Sequence, residues 1–221
     1  MQEDPFGFVL GCALGDGCIG KSKRDRSATL IISRKAAHAP YAQWQLERLN
    51  TILGTKANLC SFMDKGKYPA VRFGVTDSKV LVAARQLLYP CGVKRFSSNV
   101  LSCLGPEALA LFWMDDGSLE VRRRRRPKSI KIERSGWLPA SHDPEQAQNI
   151  AKWIYELTGA SGSSVTHSSG MIYLRWFSRQ FRLLVGGIRE YVHPCLAYKV
   201  DLNRTGTVAE WLSSESQRAK A

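Results

Sequence analysis

Two short apolar runs, each ending in Asp-Gly, constrain this chain more than any other feature. The first is Val9-Leu10-Gly11-Cys12-Ala13-Leu14-Gly15-Asp16-Gly17 and the second Leu109-Ala110-Leu111-Phe112-Trp113-Met114-Asp115-Asp116-Gly117, so Asp16 and Asp116 lie 100 residues apart. A membrane span needs roughly 20 apolar residues, and these runs are too short for one. They suit helices buried against another helix, and the pair predicts two such helices packed side by side. Gly11, Ala13 and Gly15 are small enough to let the axes approach closely, whereas the second run offers only Ala110. Gly17 and Gly117 are expected at helix C′ positions, where a left-handed backbone favours glycine.

That packing would bring carboxylates together. Asp16 and Asp116 would stand at helix C-termini, where the macrodipole already carries about half a negative charge, and neighbouring carboxylates raise each other's pKa. Such a locus calls for a cation. Hard oxygen donors with room left for phosphate and water suit Mg²⁺ better than Zn²⁺.

At these residues the chain resembles the LAGLIDADG homing endonucleases in their two-motif, single-chain form. Val9 to Gly17 and Leu109 to Gly117 fill the nine motif positions, with Leu14 and Met114 at the motif's earlier acidic position and Leu111 at its first glycine. The resemblance puts Asp16 and Asp116 on the metal-binding position, with Gly15 and Asp115 beside them as further candidate ligands. Mg²⁺ is the implied cofactor, and Mn²⁺ or Ca²⁺ would take the same site. The resemblance also implies a double-strand break with short 3′ overhangs in a long DNA target, serving the spread of a host intron or intein. A basic residue near the scissile phosphate is implied in each half. Lys94 and Lys199 each follow a repeated Pro-Cys pair and fill that role, with Arg95 a rival to Lys94.

The segments after each motif run in the same order. Strands are expected over 18–23 and 28–33, a helix over 41–53 stopped by Gly54, strands over 57–63 and 70–75, and a helix from Asp77 to Pro90. The second half repeats this with strands over 118–124 and 129–134, a helix from Asp143 to Gly159, strands over 164–167 and 171–176, and a helix over 178–192. Tyr89-Pro90-Cys91 and His193-Pro194-Cys195 are the clearest local echo. The expected fold is therefore α+β, an αββαββα unit used twice: residues 1–104, residues 105–204, and a polar tail over 205–221. Hairpin-length connections favour antiparallel sheets with helices on one face. The resemblance implies pseudo-twofold repeats whose sheets form a DNA-binding saddle, with the motif helices packed at the interface.

Charge narrows the partner. Lys and Arg number 32 against 19 Asp and Glu, a net charge of +13 that suggests a polyanion. Arg122, Arg124, Arg126 and Lys128 belong to the most basic segment, mirrored by Lys21, Lys23 and Arg24 in the first half. Arg34 and Arg134 fall at matching strand ends, and Arg72 and Arg175 in matching final strands. Loop-borne Lys65 and Lys67 suit phosphate contacts, which position a protein without reading sequence. The six cysteines show no C-x-x-C pair and read as reduced, buried thiols. The four histidines are scattered, with no zinc spacing, and Trp113, Trp153 and Trp176 fit core positions. The acidic start lacks the positive region of a signal peptide, so an intracellular monomer on double-stranded DNA is expected, with no membrane role. Two other readings stay open: an RNA maturase binding its intron RNA, and a catalytically silent DNA-binding regulator. The intact aspartates lean toward the nuclease.

Overall fold

Alternation in the strands and apolar stripes on the helices generate the same order of elements twice. In the computed structural model, residues 4–21, 26–77, 79–126 and 129–218 are described, with backbone alone at 124–126, 129, 130 and 214–218. The chain forms two compact units, Met1–Asp116 and Gly117–Ala221. Lys23, Arg24 and Lys128 lie outside the described residues.

The first unit contains helix α1 (Pro5–Leu14), strands β1 (Cys18–Lys21) and β2 (Ala28–Lys35), helix α2 (Ala39–Leu53), strands β3 (Cys60–Asp64) and β4 (Tyr68–Asp77), and helices α3 (Val80–Leu88), α4 (Ser98–Leu101) and α5 (Pro106–Asp116). Its antiparallel sheet has the order β1-β2-β4-β3. Leu30, Ile32, Phe73 and Val75 point to the helices and are buried, while Thr29, Ile31, Arg72 and Thr76 point away. The three-residue connection between β3 and β4 puts both Lys65 (φ 49°) and Gly66 (φ 66°) in the left-handed region, and the Lys67 amide closes the turn on the Asp64 carbonyl at 3.0 Å.

The motif helices α1 and α5 pack against each other within this unit, so the second motif belongs to the first compact body although its sequence opens the second repeat. Gly11 makes the approach possible: a Cβ there would stand 2.8 Å from the Ala108 Cα. The expected left-handed caps are absent. Gly17 and Gly117 are not among the glycines of positive φ. Gly17 is required for a different reason, since a Cβ would lie 2.2 Å from the Cys12 carbonyl oxygen.

The second unit contains β5 (Ser118–Arg126), β6 (Ser129–Ser141), α6 (Pro144–Thr158), β7 (Ser163–Thr166), β8 (Ile172–Phe177), α7 (Ser178–Ile188), a 3₁₀ segment (Pro194–Lys199) and α8 (Val208–Arg218). Its sheet, β5-β6-β8-β7, is again antiparallel. Asp143 caps α6 by accepting from the Glu145 and Gln146 amides, and Gly159 ends it at φ 69°. Trp113, Trp153 and Trp176 are buried, as expected. The cysteines depart from expectation: all are free thiols, but only Cys12 is buried, and Cys18, Cys60, Cys91 and Cys103 are exposed. No described helix is long and apolar enough to cross a membrane.

Candidate functional site

Close approach of α1 and α5 brings their C-terminal ends together. A Cβ on Gly15 would fall 2.4 Å from the Cβ of Asp115, its counterpart in the other motif. The Asp16 amide donates to Asp115 Oδ2 at 3.1 Å. The Asp16 carboxylate reaches solvent, with its side chain 43% exposed, and Asp116 is half-buried.

Arg34 lies under this junction. It shares β2 parity with Leu30 and Ile32, so its side chain enters the helix-facing layer and is only 3% exposed. Its Nη1 donates to Asp16 Oδ2 and its Nη2 to Asp115 Oδ1, both at 2.7 Å. Its Nε and Nη2 also donate to Gln45 Oε1 at 3.1 and 2.9 Å, and the guanidinium lies 4.4 Å from the Tyr41 ring centre. Tyr41 in turn donates its hydroxyl to Asp115 Oδ1 at 3.1 Å. Arg34, expected as a DNA contact, is thus turned away from solvent and engaged by Asp16, Asp115 and Gln45. Asp115, expected as a metal ligand, has a fully buried side chain whose two oxygens both accept protein hydrogen bonds.

Burial disfavours charge on both partners, and the pair answers it. Burial raises the Asp115 pKa, Arg34 pulls it back, and the Asp16 charge raises it again, leaving it above the ordinary carboxylate value. Burial opposes the Arg34 charge too, but Asp115, Tyr41 and Asp16 outweigh it and its pKa rises.

Lys94 comes to the same end of α1. Its Nζ donates to the carbonyls of Leu14, Gly15 and Gly17 at 3.2, 3.0 and 3.2 Å, a cation on a helix C-terminus. The Gly15 carbonyl, expected to face a metal, is thus a lysine acceptor. Burial lowers the Lys94 pKa, and Asp116, Cys18, Asp115 and Asp16 oppose the shift, so the acidic groups of both motifs act on this one ammonium. Lys199 ends the 3₁₀ segment of the second unit and is half-buried. Among the described residues, no group of three or more His, Cys, Asp or Glu side chains is arranged to enclose a metal.

The helix-free sheet faces carry the other candidates. In the first unit, Arg72 donates Nε to Ser33 Oγ at 2.7 Å and lies over the Phe62 ring; Lys65 and Lys67 are exposed on the β3–β4 turn, and Lys21, which shares parity with buried Ile19 and pairs with buried Ala28, is exposed on the helix side beside α3. In the second unit, Glu120 organises the face. Its carboxylate meets Arg122 Nε at 2.8 Å, Trp137 Nε1 at 3.0 Å, Ser135 Oγ at 3.3 Å and Arg175 Nη2 at 3.6 Å. Burial pushes the Glu120 pKa up, but Arg122, Trp137 and Ser135 together outweigh it and hold the carboxyl below its usual value. Arg175 stacks between Trp137 and Phe177, 4.1 Å from each ring centre. Arg134, like Arg34, points away from that face, and its Nε donates to the Arg204 carbonyl at 3.0 Å. Arg124 and Arg126 lie in β5, with only their backbone described.

Sequence reasoning missed Gln45, Tyr41 and Glu120. The signal for the first two was present, because Gln45 is a polar residue on the apolar stripe of α2, one turn after Tyr41. Glu120 gave none, being one acid beside a run of arginines.

The family model of the LAGLIDADG DNA endonuclease family matches residues 6–135. The chain belongs to that family. The LAGLIDADG fold is shared with solved structures. One described as the homing endonuclease I-WcaI bound to its DNA recognition sequence superposes with a TM-score of 0.71 at 15% identity, covering 92% of this chain and 89% of that one. Another, described as the LAGLIDADG homing endonuclease I-GzeII in complex with its DNA target, gives 0.56 at 15% identity, over 98% and 93%. Among curated proteins, Protein RecA of Mycobacterium shimoidei is 31% identical over 128 residues, 56% of this chain and 28% of that protein. Protein RecA of Mycobacterium gastri is 24% identical over 217 residues, 90% of this chain and 48% of that protein. This LAGLIDADG chain thus spans less than half the length of these RecA relatives.

Proposed function

We propose that this chain is a site-specific, divalent-metal-dependent endonuclease that breaks both strands of a long DNA target and leaves short 3′ overhangs. The observation that carries the reading is the junction of the two motif ends, where the Asp16 amide bonds Asp115 and Lys94 responds to Asp116, Asp115 and Asp16 together. Asp16 and Asp116 are the residues that would hold the metal. They fit one: both are hard oxygen donors and Asp16 reaches solvent, whereas the Gly15 carbonyl and the Asp115 carboxylate are engaged by Lys94 and Arg34. Mg²⁺ is the preferred ion, with Mn²⁺ or Ca²⁺ as substitutes. A bound ion would supply Lewis acidity and a lowered water pKa.

The chain's own residues do the rest. Lys94, and Lys199 in the second repeat, supply positive charge beside the phosphate whose negative charge grows during cleavage. Lys65 and Lys67 contact phosphates, Arg72, Arg122 and Arg175 meet DNA from the open sheet faces, and Lys21 adds positive charge at the sheet edge. The protein acts inside the cell as a monomer on double-stranded DNA. The RecA relatives carry their similar stretch as part of a longer polypeptide, which supports a protein-borne host element, an intein, over an intron.

The test is cleavage, with Mg²⁺, of a plasmid carrying the DNA that flanks the gene's own insertion point. Wild type is expected to linearise it, and Asp16→Asn and Asp116→Asn to lose double-strand cleavage. Full linearisation by either variant would refute the assigned roles.

A further inference from the structure

We propose that Arg72 is a specificity-determining residue of the first unit, one that reads a guanine of the target through a guanidinium fork set in place by Ser33 and Phe62. The inference rests on the DNA-binding half of the endonuclease reading above and adds the base. Arg72 stands on β4, a central strand of its sheet, directly opposite Ser33 on β2 and Cys60 on β3. Its neighbours Val71 and Phe73 are buried on the helix side, so Arg72 emerges from the middle of the open face and is exposed. Its side chain is held at two points. Nε donates to Ser33 Oγ at 2.7 Å, and the guanidinium carbon lies 4.6 Å from the Phe62 ring centre.

What these contacts leave is a fork. A guanidinium carries five N–H donors; Ser33 takes the one on Nε, and among the described residues no acceptor takes those on Nη1 and Nη2. Paired outer donors match O6 and N7 of guanine, the commonest specific contact in the major groove. Both partners of Arg72 are uncharged, so its cation is not offset, whereas Arg122 is paired with the Glu120 carboxylate at 2.8 Å. Holding the side chain before DNA arrives also removes much of the rotamer entropy that a long cation loses on binding. A phosphate would accept the same fork, and position decides between the two. Base edges form the floor of a groove and phosphates its rims, so a sheet laid in the major groove turns its central strands to the bases and its hairpin turns to the backbone. Arg72 lies on a central strand, and Lys65 and Lys67 lie on a turn.

Base reading is separated from phosphate contact by measuring binding position by position. The full chain, kept without divalent ion so that no strand is cut, selects duplexes from a randomised pool, and fluorescence anisotropy on singly substituted versions of the selected duplex gives the discrimination at each position. Wild type is expected to require a guanine whose replacement weakens binding by about 5- to 150-fold. Glutamine pairs with adenine N6 and N7 in the same bidentate manner, so Arg72→Gln is expected to exchange that guanine preference for adenine and to keep the preferences at all other positions. Ser33→Ala retains the arginine and its charge and removes only the hold on Nε. It is expected to lower discrimination at the same position by about 2- to 10-fold with affinity for unrelated duplex unchanged, and it carries the test if Arg72→Gln does not fold. Uniform weakening of every duplex by Arg72→Gln, with the salt slope reduced by about 1, marks a phosphate contact and overturns the proposal. A preference altered only where wild type does not require guanine, or altered nowhere, overturns it as well. A wild-type chain that selects no sequence defeats the site-specific reading and this proposal together, whereas undiminished cleavage by Asp16→Asn and Asp116→Asn defeats the assigned metal sites and leaves the guanine contact standing.

Discussion

Removing Arg34 without replacing its charge strands a buried anion, and the size of that penalty follows from proton binding. In Arg34→Met the fully buried Asp115 loses its cation, so its pKa, already raised by burial, climbs further. Ionised and unpaired, it would cost about 3–5 kcal/mol. Its alternative is to fold protonated. A carboxyl that titrates near 3.9 when unfolded must then hold its proton at the solvent pH, which costs about 4 kcal/mol at pH 7 and about 1.5 kcal/mol at pH 5. The sign is that of a group whose folded pKa lies above its unfolded one: folding gains most below the unfolded value, and the gain is lost as pH rises through the folded value. At roughly 2–4 °C per kcal/mol for a chain of 221 residues, the melting transition is expected to fall by about 8–16 °C at pH 7 and by about 3–6 °C at pH 5. Differential scanning calorimetry at the two pH values reads this directly. Arg34→Met/Asp115→Asn removes both charges and is expected to recover most of the loss. An equal deficit at both pH values, or a double variant no more stable than Arg34→Met, would refute the ion-pair account.

Three further perturbations test other parts of the structure. Gly11→Val puts a side chain into backbone 2.8 Å away and is expected to cost about 1–3 kcal/mol or more, seen as an earlier midpoint in urea. Lys65→Ala/Lys67→Ala removes two exposed cations from the β3–β4 turn and should reduce the slope of log affinity against log salt by about 2, measured by fluorescence anisotropy on duplex DNA. Burial lowers the Lys94 pKa, so wild-type cleavage should decline on the alkaline side earlier than an ordinary lysine would dictate. Lys94→Arg should abolish that early decline and Lys94→Met should slow cleavage about 100-fold; a Lys94→Arg profile that declines at the same pH would count against Lys94.

The pair of Asp-Gly runs, the repeated order of helices and strands and the helix stops at Gly54 and Gly159 were all legible in the sequence, because local periodicity and left-handed caps are properties of short segments. Gly11 and Gly15 were legible as close-approach residues for the same reason. What each arginine touches was not. Arg34 and Arg72 both stand in apolar, β-branched strands, but a one-residue difference in parity sends Arg34 under the motif junction and Arg72 to the open face. Parity was readable once Leu30 and Ile32 were taken as core.

The buried role of Asp115 was beyond reach of the chain alone. It depends on α1 and α5 approaching closely enough for Gly15 to leave room for a carboxylate, and on Gln45 and Tyr41 arriving from α2 to satisfy it. By itself the sequence determined that two acidic helix ends exist and that they are copies of one design. Only the tertiary structure decided that the copies differ, since burial and a shared guanidinium are properties of three elements meeting, not of any one of them.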